Sequence, residues 1–331
     1  MKISLVGCGL IGSRRAKFLG AHQLTVAVDV DLSKAQQVAA SVPNARASQH
    51  WHEAVEDSDV EIVIIATTPD IMPEIALAAL NNNKHVLVEK PAARNPRELE
   101  PVVAAAKRAG KQVHVGFNHR YHPSLRKARE IVDSGAIGDL MYIRGRYGHG
   151  GRIGYDQEWR ANPEVAGGGE LIDQGMHLID LSRWFLGDFV EVAGHAGTYF
   201  WNMPVDDNAF ALLRTPTDQV AWLHASWTEW KNLFSFEIFG RIGKLQIDGL
   251  GGSYGVETLT YYKMKSEMGP PDVEKFEYAG ADDSWQLEFD QFVANIEAER
   301  TDTPNAEDAL AALKIADKIY SARTPVLGIF K

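Results

Sequence analysis

Lys2-Ile3-Ser4-Leu5-Val6-Gly7-Cys8-Gly9-Leu10-Ile11-Gly12 opens the chain and decides its fold. Ile3 to Val6 is an apolar run of strand length, and Arg14 to Gly20 reads as a helix. Between them stands the pattern GxGxxG. There the first glycine permits a tight turn and the second lets backbone approach a pyrophosphate. The third lets the helix pack close on the strand, and the helix N-terminus then faces the negative charge. A glycine-rich turn without a ligand is the competing reading. The strand–turn–helix context favours the dinucleotide, so Gly7, Gly9, Leu10, Ile11 and Gly12 are cofactor-binding candidates. Cys8 reads as a small packed residue of the turn.

Leu24 to Val28 is a second strand, and it ends in Asp29, 20 residues after Gly9. A carboxylate there accepts hydrogen bonds from ribose hydroxyls and repels a 2′-phosphate, which favours NAD over NADP. Asp31 is read as the cap of the helix Leu32 to Ser41. Val60 to Ala66 is apolar and mostly β-branched, as a strand buried on both faces should be. Glu74 to Asn81 reads as a helix and His85 to Val88 as a strand. Pro96 to Ala109 reads as a helix stopped by Gly110, and Gln112 to Gly116 as a strand. Strands alternating with helices imply right-handed crossovers and a parallel sheet. The expectation is an α/β chain whose residues 1–120 form a Rossmann dinucleotide-binding domain.

The rhythm changes after about residue 122. Leu125 to Ser134 reads as a helix, Met141 to Tyr147 as a strand and Leu171 to Leu186 as a helix. Short strand-like runs then follow without helices between them: Val190–His195, Ala209–Arg214, Ala221–Thr228, Phe234–Gly240, Lys244–Asp248 and Thr258–Tyr262. Trp285 to Arg300 and Ala306 to Ser321 read as closing helices, the last capped by Asn305. Residues 121–331 are therefore expected to form an α+β domain with a mostly antiparallel sheet; the family resemblance given below implies that the sheet is open and that the domain serves substrate and oligomer contacts. The last helix, about 305–322, is expected to pack back on the first domain.

Three stretches carry chemistry. The strand ending in Glu89-Lys90-Pro91 delivers a lysine to the carboxyl edge of the sheet, where open α/β folds bind ligands. Its ammonium can stabilise a developing oxyanion there, and a solvated surface lysine is the alternative. In Gly167-Gly168-Gly169-Glu170-Leu171-Ile172-Asp173-Gln174-Gly175-Met176-His177, the aspartate and histidine are four apart and share a helix face. A carboxylate one turn from an imidazole is an acid/base unit; a histidine satisfied within its helix is the bland reading. The three glycines leave backbone bare enough to pack on a flat ring. Arg120, Tyr155, Trp159 and Arg160 are candidates for a substrate pocket, with packing or surface as the competing reading. Asp180 is read as structural.

Composition bounds the rest. The chain has 331 residues, of which 45% are hydrophobic and 24% charged, as in ordinary soluble globular proteins. Its 34 Lys+Arg stand against 44 Asp+Glu, a net charge of -10 that disfavours nucleic acid as a partner. No run reaches the roughly 20 apolar residues a membrane span needs, and no secretory signal is read at the start. One cysteine suits a reducing compartment, and the expected location is cytoplasmic. His50-Trp51-His52-Glu53 lacks the spacing of a metal motif, so no metal is expected.

GCGLIG near residue 7, EKP at 89–91 and GGGELIDQGMHLIDL at 167–181 together resemble the Gfo/Idh/MocA oxidoreductases, which act on sugars, inositols and related polyols. The resemblance extends to Ala66-Thr67-Thr68-Pro69 and to Gly116-Phe117-Asn118-His119-Arg120-Tyr121. It implies a catalytic set of Lys90, Asp173 and His177. It also implies a nicotinamide near Glu89, Lys90 and Asn118, with Thr67, Thr68 and Pro69 beside the dinucleotide. The substrate would meet Lys90, Arg120, Tyr155, Trp159, Arg160, Asp173 and His177. The chain departs from many members at Met72, where they carry a histidine. The activity implied is NAD-dependent hydride transfer at a secondary alcohol of a sugar or cyclic polyol, by a homodimer or homotetramer. Two alternatives share these motifs: a non-catalytic NAD(H)- and sugar-binding regulator, and an enzyme using NAD in an internal redox cycle.

Overall fold

A computed structural model describes residues 1–301 and 303–322 of the chain. The end of the second expected region, residues 323–331, lies outside the described residues. The chain divides into two compact units. The first holds Met1–Asn118, Glu164–Gly167 and Trp285–Ala311; the second holds His119–Pro163, Gly168–Ser284 and the residues from Ala312 on. The helix Ala306–Ser321 therefore contributes its first six residues to one unit and the remainder to the other.

In the first unit the strands are β1 (Lys2–Val6), β2 (Gln23–Val28), β3 (Arg46–Ser48), β4 (Ile62–Ile65), β5 (His85–Val88) and β6 (Val113–Val115). The helices are α1 (Leu10–Arg15), α2 (Leu32–Ala40), α3 (His52–Glu56), α4 (Met72–Asn81) and α5 (Pro96–Ala109). All strand pairs are parallel, in the order β3-β2-β1-β4-β5-β6. That is the doubly wound order whose ligand crevice lies at the carboxyl ends of the strands, where the order reverses beside β1. All four residues of β4 are buried, because helices cover both faces of the sheet. The caps fall where chemistry places them: the Asp31 side chain accepts from the Ser33 N–H, and Gly110 ends α5 with φ +60°.

Three elements of the first unit differ from expectation. Helix α1 begins at Leu10, four residues before Arg14, and a 3-10 turn of Ala16–Phe18 continues it. Gly12 therefore lies inside the helix. A Cβ there would sit 1.8 Å from the Gly7 carbonyl oxygen, so the close packing of helix on loop needs glycine. Strand β3 and helix α3 carry too few apolar residues to show a period, and the register with β2 alone defines β3.

In the second unit α6 (Pro123–Asp133), β7 (Leu140–Gly148) and α8 (Met176–Leu186) precede β8 (Glu191–Gly197), β9 (Asn208–Arg214) and β10 (Val220–Ser226); the single turn α7 (Pro163–Ala166), which follows β7 in the chain, belongs to the first unit except for Pro163. Then come β11 (Leu233–Gly240), β12 (Gly243–Asp248), β13 (Glu257–Lys263) and β14 (Asp272–Tyr278). They form one sheet, β14-β13-β12-β11-β7-β10-β9-β8, antiparallel except where β7 and β10 run parallel. Buried and part-exposed residues alternate along β12 and β13, the mark of a sheet with one face covered. β14 escapes sequence reading because Asp272-Val273-Glu274-Lys275-Phe276-Glu277-Tyr278 has no buried face. It is an edge strand guarded by charge.

Helix α9 (Ser284–Glu297) closes the first unit, and Phe289, Phe292 and Val293 pack with Ile3, Leu5, Leu24 and Ile62. α10 (Ala306–Ser321) starts on a reciprocal cap: Asn305 Oδ1 accepts from the Glu307 and Asp308 N–H groups, and Asp308 Oδ2 accepts from the Asn305 N–H. Among the described residues no helix is long and apolar enough to cross a membrane.

A buried ion cluster joins three distant parts of the first unit. Arg15 Nε donates to Glu89 Oε1 at 2.7 Å, and its Nη1 donates to Glu288 Oε2. His114 Nε2 lies 3.3 Å from Glu288 Oε1, and Trp285 stacks on the guanidinium at 4.4 Å. Replacing Glu288 by alanine leaves Arg15 sharing a single carboxylate in the dry interior. The expected loss is about 3–5 kcal/mol in denaturant unfolding; a loss under ~1 kcal/mol would show that the cluster contributes little. Cys8 is 3% exposed, and burial, with the nearby Asp29 charge adding, pushes its thiol up to about 12. Disulfide reagents at mildly alkaline pH should leave it unmodified until denaturant is added. Fast labelling of folded protein would mean that the loop opens.

Candidate active site

The carboxyl edge of the first sheet gathers the dinucleotide candidates. Gly7 has φ +94°, and a Cβ there would lie 2.3 Å from the Ala66 carbonyl oxygen at the end of β4. Gly9 has no atom within 4 Å of where its Cβ would be. The loop is thus closed on its inner side and open at Gly9, which fits a pyrophosphate approaching backbone. Leu10 stands 81% exposed beside it, and Ile11 lies partly buried in the first turn of α1. Asp29 is half-buried at the end of β2. Its Oδ2 accepts from the Cys8 N–H at 2.7 Å and its Oδ1 from the Asp31 N–H at 2.9 Å. The carboxylate thereby braces the glycine loop, and each oxygen keeps acceptor capacity for a ribose hydroxyl. Val30 follows it, 88% exposed, an apolar neighbour that sequence reading passed over.

Ala66, Thr67 and Thr68 are half-buried at the end of β4, and Pro69 is buried behind them. Met72 is 2% exposed at the start of α4 and serves the core. One strand further, the turn Glu89–Ala92 closes through the Ala92 N–H to the Glu89 carbonyl at 3.0 Å, with the Lys90–Pro91 bond cis. Lys90 is half-buried at that edge, whereas Glu89 is buried in the Arg15 cluster. Burial raises the Glu89 carboxyl, and Arg15 opposes that shift. A Cβ on Gly116 would come within 2.8 Å of Glu89 Oε2, so this glycine makes room for the cluster. Asn118 is buried in the 3-10 turn Asn118–Tyr121 that follows β6.

The second unit holds the other candidates. Leu171–Gly175 is a π-helical turn leading into α8, so Asp173 and His177 do not lie on one regular α-helix. Such wide turns recur at functional sites. Asp173 Oδ2 accepts from Arg160 Nε at 3.2 Å, and Trp159 stacks on the Arg160 guanidinium at 4.4 Å. Burial works against the charge on Arg160, and Asp173, with Tyr155 and Glu158, more than restores it. His177 is 5% exposed, with its ring stacked on His119 at 3.7 Å. Tyr147 sits beside both rings, 6.2 Å from His177 and 5.2 Å from His119. Gln174 Nε2 donates to the Tyr254 hydroxyl at 2.8 Å, and the Tyr254 ring packs on Tyr147.

Arg120 donates from both Nε and Nη2 to the Asp180 carboxylate, at 2.8 and 2.6 Å, in a buried fork-to-fork pair. Asp180 is thus the anchor of Arg120. Tyr155 is 3% exposed and lies among Trp227, His149 and Trp201. Trp159 is 39% exposed. Sequence reading missed His119, Tyr147, Gln174 and Tyr254. The strongest available signal was His119, standing inside a quoted motif.

The glycine triplet serves a different purpose from the flat-ring packing expected. A Cβ on Gly167 would meet Arg94 at 2.6 Å, one on Gly168 the Tyr320 hydroxyl at 2.3 Å, and one on Gly169 the Asp206 carbonyl at 1.9 Å. The chain's own groups fill that space. Asp206, fully buried, accepts from the Gly169 N–H at 3.0 Å, the Leu171 N–H at 2.9 Å and the Tyr320 hydroxyl at 2.8 Å. It ties down the otherwise unpaired N–H groups at the head of the helix that carries Asp173 and His177. Among the described residues no group of three or more His, Cys, Asp or Glu is arranged to hold a metal. Glu53 of the His50–Glu53 stretch is instead engaged by Arg46 and Ser48.

Comparison with known proteins bears on the fold and the family. Residues 1–117 match the family model described as an oxidoreductase family with an NAD-binding Rossmann fold, and residues 125–246 match the GFO/IDH/MocA C-terminal domain. A levoglucosan dehydrogenase of Pseudarthrobacter phenanthrenivorans is 31% identical over 50% of this chain and 43% of its own. A myo-inositol 2-dehydrogenase of Thermotoga maritima is 23% identical over 98% of this chain and 95% of its own. Over most of the curated relatives, the matched stretch spans about half of their own length. A solved levoglucosan dehydrogenase in complex with NADH superposes with a TM-score of 0.89 at 22% identity, covering 97% of this chain and 96% of that one. With both of its domain models matched in order along one chain, the protein belongs to the Gfo/Idh/MocA oxidoreductase family.

Proposed function

We propose that the protein is an NAD-dependent dehydrogenase or reductase of a sugar or cyclic polyol. One observation carries the reading: the open glycine loop, the Asp29 carboxylate and Lys90 lie along one carboxyl edge of a single sheet. Relatives named levoglucosan and inositol dehydrogenases supply the substrate class. Residues 1–120 are assigned to coenzyme binding, through Gly7, Gly9, Leu10, Ile11, Gly12, Asp29, Thr67, Thr68, Pro69, Glu89, Lys90 and Asn118. Residues from 121 on are assigned to substrate binding and to the contacts of a cytoplasmic homodimer or homotetramer.

When bound, the nicotinamide supplies the acceptor for the hydride leaving the secondary alcohol carbon. The chain's part is to hold the alcohol and move its proton. The His177 imidazole takes the hydroxyl proton, imidazole being the side chain whose unperturbed pKa lies nearest neutrality. Lys90 is assigned to stabilise the negative charge that develops on the alcohol oxygen. Asp173, four residues before His177 and ion-paired to Arg160, is assigned to hold the imidazole in register. A second assignment gives the proton to Lys90. Trp159 and Arg160 supply an aromatic face and a guanidinium to the sugar ring, with Tyr155 and Arg120 as the buried members of the substrate set.

Nicotinamide absorbance against a panel of sugars and inositols tests the activity directly. His177→Ala and Lys90→Ala should each lose about 10²–10⁴-fold in turnover while still binding NADH. Retained turnover in both would remove the catalytic assignment. Asp29→Ser should relax the preference for NAD over NADP, because the carboxylate that repels a 2′-phosphate is gone. A wild-type enzyme that already prefers NADP would overturn the carboxylate argument.

A further inference from the structure

His177 does not stand alone in its helix. The His119 ring covers one face of it, with centroids 3.7 Å apart and planes 21° apart, and both side chains are 5% exposed. The Tyr147 ring stands at 64° to the His177 plane and packs on His119 at 58°. Phe234 and His122 complete the wall around His119, at 5.9 and 5.6 Å. An imidazole reaches out on two rotatable bonds, and the second has a broad, roughly two-fold preference. A flat group lying on one face removes most of that freedom. The plane in which the His177 ring lies is then set by the stack.

The stack itself is clamped. His119 is followed by Arg120, whose guanidinium is fixed by two hydrogen bonds to Asp180. Asp180 lies on α8, three residues beyond His177 and therefore on a neighbouring part of the same helix surface. The turn Asn118–Tyr121 is thus tied to α8 twice, by an ion pair at Arg120 and by ring stacking at His119. The ion pair fixes the distance between turn and helix. The stack translates that distance into a ring orientation.

We propose that His119 is the positioning residue for the His177 imidazole, with the Arg120–Asp180 pair as its clamp. The inference rests on the reading of His177 as the proton acceptor and adds the group that aims it. Stacking also places an aromatic face against an imidazole that becomes cationic on accepting a proton, a favourable contact while His119 is neutral. His119 touches no reacting atom in this account; its effect passes entirely through His177.

Two variants separate ring from charge. His119→Ala removes the stack, and His119→Phe keeps a flat ring but cannot be protonated. The measurements are turnover with NAD and myo-inositol or levoglucosan as probe substrates, and the imidazole NMR signals of His177 in the NADH-bound enzyme. In His119→Ala, the His177 ring should show greater motion, and turnover should fall tenfold or more with KM for NAD within about twofold. In His119→Phe, both the ring order and most of the turnover should return. A general loss of stability would not be rescued in this pattern, and melting curves on both variants check it. The proposal is overturned if His119→Ala leaves the His177 ring as ordered as in wild type. It is equally overturned if His119→Phe is as impaired as alanine. Should His177→Ala itself retain turnover, the reading of His177 fails instead, and the NMR comparison still decides whether His119 orders the ring.

Discussion

A guanidinium taken out of water must be met by carboxylates, and Arg15 is met by two. It is 2% exposed, with Glu89 and Glu288 on either side. One cation cannot neutralise two buried anions, so the pair divides unequally. Glu89 is raised by burial and by the neighbouring Glu288 charge against the pull of Arg15. Glu288 is lowered against burial by Arg15, with His114 assisting. The three residues come from the helix behind the glycine loop, from the end of β5 and from α9. One electrostatic demand therefore joins the dinucleotide loop to the turn that presents Lys90. Buried pairs of this kind add little net stability over a well-packed apolar core, but they tolerate no loss of a partner. Their value here is geometric: neither the loop nor the turn can move without stranding a charge.

The fold was legible where burial wrote a period into the sequence. His85–Val88, Pro96–Ala109 and Ala306–Ser321 were read with their observed ends, because each has a continuous buried face and a distinct stop or cap. Arg46–Ser48 and Asp272–Tyr278 were not read. The first is a three-residue edge strand with an exposed arginine; the second carries four charged residues among seven, with no buried face. Edge strands owe their existence to a partner's free backbone groups, and that partner is distant in sequence. The early start of α1 has a similar cause. Gly12 looks like a helix breaker locally and is required by packing on Gly7.

At the site, legibility followed the range of the interaction. The glycine loop, Asp29 and Lys90 were readable because strand ends announce them. The Asp31 cap was readable because it acts two residues away. The role of the glycine triplet was not, since what fills the space above it is Arg94, Tyr320 and Asp206, far off in the chain. The same holds for the stack of His119 on His177 and for the hydrogen bond joining Gln174 to Tyr254. No local pattern encodes a contact between a turn after β6 and a helix some sixty residues later. The π turn at Leu171–Gly175 was also invisible, because its sequence suits an ordinary helix.

The partner of Asp173 changes what that residue can contribute. A carboxylate free to face an imidazole orients it by a direct hydrogen bond, as a triad aspartate does. Asp173 instead gives Oδ2 to Arg160, and the Arg160 guanidinium is held in turn under the Trp159 ring and beside Glu158. Its charge is thus bound into a salt-bridged arm that includes the part-exposed Trp159 and Arg160. A substrate that displaced this arm would alter the field of Asp173 at Tyr147, His149 and Tyr155 as well as the surface it rests on.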